Sequence, residues 1–310
     1  MIQKTLLSVR DLKKTYPGKP PFTAVKGISF DLGEGEILGL LGPNGAGKTT
    51  TIQMLIGTLS YTSGSIHYFG KELEQHRSEI LEHVVFASTY VSLPWRLTVA
   101  QNLHVFGRLY GLSGTQIEER MGPLLERFGV AAKKNQTVAS LSAGQITRLM
   151  LVKAFLSDPK IVLLDEPTAS LDPDIAKDVC EFLLEERKKR GLSILFTSHK
   201  MDEASLLCDR VIFVQRGEII ANDVPSNLAK SLGLCKLELH ISDGLKRAIA
   251  TAQEKKLGYV VEHRAIEFTL EETMIAEFLS LLAHQGVSYS QIRIKQPSLE
   301  DYFLKVVGKK

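Results

Sequence analysis

Residues Gly42-Pro-Asn-Gly-Ala-Gly-Lys48-Thr49 match the pattern GxxxxGK[ST] in full. Gly42, Gly45 and Gly47 let a backbone wrap an anion without side-chain clashes, with its amides turned inward. Pro43, Asn44 and Ala46 complete the loop. It follows the apolar run Ile37 to Leu41 and precedes a helical pattern from Thr49 to Thr58, whose N-terminal end adds positive potential. Lys48 is placed to reach the β- and γ-phosphates of a nucleotide. The Thr49 hydroxyl is placed to hold Mg²⁺, with Thr50 beside it. A second element, Ile161-Val-Leu-Leu-Asp165-Glu166, is an apolar strand that delivers two carboxylates at its C-terminal end. Open α/β sheets bind ligands at that end. Asp165 fits a Mg²⁺ site, mostly through water, and Glu166 is placed to polarise an attacking water.

Such residues need a sheet to carry them. Short apolar runs alternate with helical segments through the first two thirds of the chain, which predicts an α/β fold with a largely parallel sheet. Leu6 to Val9, Ile28 to Leu32, Ile37 to Leu41, Ile161 to Leu164, Ser193 to Thr197 and Val211 to Gln215 read as strands. Asp174 to Arg190 reads as a solvated helix capped by Gly191. Helical patterns dominate from Val99 to Leu156, so a mostly helical insertion is expected over about 92–156. Beyond Pro225 the character changes. A linker is expected over 226–234, then a small α+β domain over 235–310 with the element order βαββαβ of a ferredoxin-like unit. Met274, Phe278, Leu281 and Leu282 share a helical face there. That domain carries no catalytic constellation and reads as a packing or docking module.

The 310 residues are 44% hydrophobic and 24% charged, ordinary globular usage. Lys and Arg number 38 against 35 Asp and Glu, and a net charge of +3 gives no ground for a nucleic-acid partner. Cys180, Cys208 and Cys235 form no disulfide framework and fit a reducing compartment. No stretch has the roughly 20 apolar residues of a membrane span, and the N-terminus lacks the features of a secretory signal. A cytoplasmic location is expected, with any membrane role supplied by a partner.

Taken together, these motifs resemble the ATP-binding-cassette (ABC) ATPases over about residues 5 to 225, a P-loop fold with a RecA-like core, an antiparallel β part and a helical subdomain. Leu141-Ser-Ala-Gly-Gln145 resembles the family's LSGGQ signature, with Ala143 in place of the commoner glycine. Thr168-Ala-Ser-Leu-Asp172 resembles its D-loop, and Thr197-Ser-His199 its switch histidine. Tyr16 resembles the aromatic that stacks on adenine, with Val25 expected beneath the base. The resemblance implies ATP and Mg²⁺ as cofactors and a head-to-tail pair of two copies. In that pair Ser142, Ala143, Gly144, Gln145 and Asp172 face the ATP of the other copy, and ATP binding drives closure by mass action. Lys48, Glu166 and His199 would then carry hydrolysis. Aligning on Leu97-Thr98-Val99 puts Thr89 where the family has glutamine. Threonine is shorter and reaches Mg²⁺ only through water, which predicts a looser cation site with slower hydrolysis, or a rewired coupling.

Tyr90, Leu93, Pro94 and Trp95 resemble the surface that grips a polytopic membrane subunit, and Trp is favoured at binding hot spots. Gln296-Pro-Ser-Leu-Glu-Asp-Tyr-Phe-Leu304 resembles the tail of cassettes from two-component exporters. The leading expectation is an ATPase subunit of an exporter, peripheral on the cytoplasmic face. One alternative is a non-transport ABC ATPase remodelling a soluble complex. The single phosphate loop, the lack of a heptad array and the charge of +3 weigh against it. The other is an ATP-gated regulatory subunit with weak hydrolysis. Intact Lys48, Asp165, Glu166 and His199 weigh against that, while Thr89 keeps it open.

Overall fold

The computed structural model describes residues 4–88 and 93–307. Thr89 and Tyr90 lie outside the described residues. The chain divides into two compact units, one ending at Asp223 and one starting at Val224.

The first unit opens with the antiparallel hairpin of β1 (Thr5–Tyr16) and β2 (Phe22–Gly33). Leu7 and Val9 on β1 and Ile28, Phe30 and Leu32 on β2 alternate into the core, as a half-buried strand requires. Next come β3 (Ile37–Leu41), α1 (Lys48–Leu55), β4 (Ser63–Tyr68), β5 (Lys71–Glu72), α2 (Arg77–Leu81) and β6 (Val84–Ser88). The expected helical section follows as α3 (Val99–Leu109), α4 (Gly114–Arg127) and α5 (Ala143–Leu156). Thr98, Ser113 and Ser142 each start one of these helices with a complete capping box. The unit closes with β7 (Ile161–Asp165), α6 (Pro173–Arg190), β8 (Ser193–Ser198), α7 (Met201–Leu207), β9 (Arg210–Gln215) and β10 (Glu218–Asp223). Gly191 ends α6 in the left-handed conformation at φ 66°.

A four-stranded sheet has the order β2-β1-β4-β5, and a six-stranded sheet the order β10-β9-β3-β8-β7-β6. The second is parallel from β9 to β6, with β10 antiparallel at its edge. Every residue of β3, β7 and β8 is buried. Continuous apolar runs of that kind belong to parallel strands covered on both faces. In β4 and β10 the alternation is faint in the sequence: Ile66 and Tyr68 are the buried residues of β4, and β10 is an exposed edge.

In the second unit, α8 (Pro225–Lys230) precedes β11 (Leu234–Asp243) and α9 (Leu245–Glu254). Then come β12 (Gly258–Glu262), β13 (Ala265–Glu271), α10 (Ile275–His284), β14 (Ser288–Lys295) and α11 (Leu299–Val307). The expected linker over 226–234 is therefore corrected. Pro225 occupies a first-turn position, Leu228 and Ala229 are buried, and the segment is a helix that packs on α11. The sheet order is β12-β13-β11-β14 with every neighbour antiparallel. Cys235, Leu237, Leu239 and Ile241 share its buried face with Phe278 and Leu282. Ser298 caps α11: its backbone N–H donates to Asp301 Oδ2 and its Oγ accepts from the Asp301 N–H. Among the described residues no helix is long and apolar enough to cross a membrane.

Candidate active site

Parallel pairing aligns the ends of three strands. Leu41 of β3 pairs with Ser198 of β8, and Asp165 of β7 pairs with Thr197 of β8. The chemistry-bearing residues leave the sheet along this one edge.

The loop after β3 is fixed by backbone geometry. Gly42 has φ 151°, and a Cβ there would lie 2.1 Å from the Val214 carbonyl oxygen. Gly47 has φ 105°, and its Cβ would lie 2.6 Å from the Ala24 carbonyl oxygen. Both positions exclude a side chain. Lys48 is 6% exposed, and its ammonium donates to the carbonyls of Gly42 at 2.7 Å and Pro43 at 3.2 Å. Burial pushes its pKa down, against the opposing pull of Glu166 and Asp165. The site thus holds a largely dehydrated cation at the floor of an anion cradle.

Asp165, 1% exposed, uses both carboxylate oxygens. Oδ1 accepts from the Thr197 hydroxyl at 2.6 Å and Oδ2 from the Thr49 hydroxyl at 3.2 Å. The Thr197 hydroxyl in turn accepts from the Glu166 backbone N–H at 3.0 Å. Glu166 sits in the left-handed region at φ 54°, a strain of about 1–3 kcal/mol. The turn aims its carboxylate at His199, whose Nδ1 donates to Oε2 at 2.5 Å. His199 is half exposed, whereas the Glu166 side chain is mostly covered.

A cleft of about 230 Å³ opens over these groups, lined by Tyr16, Phe22, Ala24, Thr50, Glu166 and residues 44–49. Val25 does not line it. It is 1% exposed and packs under the loop, with Ala24 on the cleft wall instead. Hydroxyl and carboxylate oxygens from Thr49 and Asp165 are hard donors of the kind Mg²⁺ takes. Mg²⁺ sites use one or two protein carboxylates together with substrate phosphates. The donor set fits.

The model of the ABC transporter family matches residues 25–169. The Nod factor export ATP-binding protein I of Paraburkholderia xenovorans (strain LB400) is 33% identical over 308 residues, spanning 96% of this chain and 95% of that one. The chain belongs to the ABC transporter ATP-binding proteins. Similarity also reaches the linearmycin resistance ATP-binding protein LnrL of Bacillus subtilis (strain 168), 29% identical over 98% of this chain and 99% of that one. A solved ATP-binding subunit of an ABC transporter matches with a TM-score of 0.68 at 29% identity, covering 74% of this chain and 93% of that one. This ABC ATPase binds and hydrolyses ATP as the nucleotide-binding subunit of a transporter.

The signature residues of this ABC ATPase belong to a different kind of structure. Ser142 and Ala143 are exposed at the start of α5. The Ser142 hydroxyl accepts from the Gln145 N–H at 3.3 Å, and the Gln145 amide oxygen accepts from the Ser142 N–H at 2.9 Å. A Cβ on Gly144 would meet the Ser170 carbonyl at 3.4 Å, an ordinary contact, so this chain alone gives no steric reason for glycine there. Asp172 stands exposed at the N-cap of α6 and makes no capping bond.

Three roles are visible only in the fold. Thr197 bridges both carboxylate residues. Phe22 lines the cleft opposite Tyr16 in register. Glu203 on α7 accepts from the Thr168 hydroxyl at 2.5 Å and from the Lys200 ammonium at 2.9 Å, while Lys200 also donates to the Thr168 carbonyl at 3.2 Å. This clamp ties the loop after Glu166 to the loop bearing His199. An acidic residue four positions after a histidine was its one sequence signal. Beyond β6, Trp95 is 60% exposed with the Arg96 guanidinium 4.8 Å from its ring, but Leu93 is 4% exposed. Leu93 is core, which corrects its expected place in an apolar surface cluster.

Proposed function

We propose that two copies of this chain close head to tail on two ATP molecules and drive export through a separate membrane subunit. In the closed pair, Ser142, Ala143, Gly144 and the α5 N-terminus face the γ-phosphate held by the other copy's Lys48 loop, with Gln145 and Asp172 at the seam. Lys48 neutralises phosphate charge, and Thr49 and Asp165 would hold Mg²⁺, which supplies further charge neutralisation. Glu166 takes the proton from the attacking water. His199 positions the γ-phosphate and is itself oriented by Glu166. Tyr16 stacks on the base. Thr89, which lies outside the described residues, would meet the cation through water.

The observation that carries the export reading is the full-length similarity, second unit included, to a protein whose name says export. The exposed Trp95 supports a docking surface for the membrane subunit just beyond β6. The strand order of the second unit supports a ferredoxin-like docking module over 235–310. The test is to isolate the chain from gently solubilised native membranes and identify its companions. A stoichiometric polytopic membrane protein is expected, and purely soluble or ribosomal companions would contradict the reading.

A further inference from the structure

We infer that Phe22 joins Tyr16 in a two-ring platform that selects purine over pyrimidine nucleotides. The inference rests on the ATP-site reading above. Phe22 is 62% exposed, so the fold leaves most of its apolar surface uncovered. It faces Tyr16 directly in the β1–β2 register. Directly opposed residues of an antiparallel pair point to the same face, with Cβ atoms about 4.5–5.5 Å apart. Both rings line the cleft that also holds Asn44, Lys48 and Thr49.

The surroundings hold the pair in place. Lys14 sets its ammonium 5.2 Å from the Tyr16 ring centroid and donates to the Ser60 carbonyl at 2.6 Å. One position away, the hydroxyls of Thr15 and Thr23 meet across the strands at 3.1 Å. Pro17, Pro20 and Pro21 restrict the turn that joins the strands. A single aromatic ring tolerates any base, because every base has a π-face. Two rings on one face of the hairpin add a size criterion: a bicyclic purine has the extent to meet both, and a pyrimidine meets one.

The experiment measures equilibrium binding of ATP, CTP and inorganic tripolyphosphate to the full chain, in wild type, Phe22→Ala and Phe22→Trp. The side chain is exposed, so its truncation leaves no cavity. In Phe22→Ala, ATP affinity should fall about fivefold, as loss of one stacking contact implies. CTP should change less, tripolyphosphate should not change, and Phe22→Trp should keep the purine preference. Unchanged ATP affinity in Phe22→Ala, or an equal loss for ATP and tripolyphosphate, would overturn the platform while leaving the ATP site intact. A wild-type chain that binds neither ATP nor tripolyphosphate would overturn the ATP-site reading itself.

Discussion

Lys48, Asp165 and Thr197 are buried, and each is bonded to the strand-end loops of its own chain. Ser142 and Ala143, by contrast, are exposed, and the polar groups of Ser142 and Gln145 satisfy each other. The phosphate cradle is thus finished within one chain. The signature helix is preformed but turned outward, with the first N–H groups of α5 ahead of its intrahelical ladder. Gly144 sharpens the contrast. Unlike Gly42 and Gly47, it has room for a methyl group in its own chain, and glycine near a helix start lowers helix propensity. One region is held by contacts within its own chain, and the other is preformed and exposed, as the proposed pairing requires.

Substitutions can break this contrast at graded strengths. Glu166→Gln removes the proposed base but keeps the cradle. Phosphate release should fall about 10²–10⁴-fold, with ATP affinity retained in a filter or fluorescence assay. Lys48→Ala removes a charged donor from the phosphates, which should weaken ATP binding about 10- to 100-fold. The nucleotide-free chain should not melt earlier, because the ammonium sits there at a desolvation penalty. Between the lowered pKa of Lys48 and its ordinary 10.5, the folded chain has shed a proton that the unfolded chain retains. Wild-type stability should therefore rise with pH in that window relative to Lys48→Met, as paired melting curves would register.

Glu203→Ala should lower the turnover number about fivefold, the worth of roughly one hydrogen bond. KM for ATP should hold, and Glu203→Gln should recover part of the rate. Ser142→Ala loses the N-cap, about 1 kcal/mol of stability. ATP binding to the single chain should stay unchanged while ATP-driven pairing weakens, which separates the two halves cleanly. Trp95→Ala should change stability by less than about 0.5 kcal/mol, as an exposed site does, and leave basal hydrolysis untouched. Its effect should appear as loss of the membrane companion on co-purification.

What was legible in the sequence follows the same contrast. The phosphate loop, β3, β7 and β8 were readable because the backbone itself demands glycine at Gly42 and Gly47 and continuous apolar runs in covered strands. Ser142 and Gln145 were readable because a capping box is a local pattern. Phe22, Thr197 and Glu203 were not, because their partners lie on other elements: Tyr16 across a hairpin, Asp165 across a sheet, Thr168 on another loop. Leu93 misled for the same reason. An apolar residue in a turn-rich stretch carries no mark of whether tertiary packing covers it, and here Leu93 is covered while Trp95 is not. The segment after Pro225 misled because proline breaks a helix interior yet starts a helix readily at its first turn.

In the proposed pair, a second copy completes the outward-facing signature around ATP. The most direct measurement is the solution mass of Glu166→Gln by light scattering, with and without Mg-ATP, beside the double variant that adds Ser142→Arg. A monomer is expected without nucleotide, a dimer with Mg-ATP, and a monomer that still binds ATP in the double variant. A Glu166→Gln chain that binds Mg-ATP yet stays monomeric would contradict the pairing.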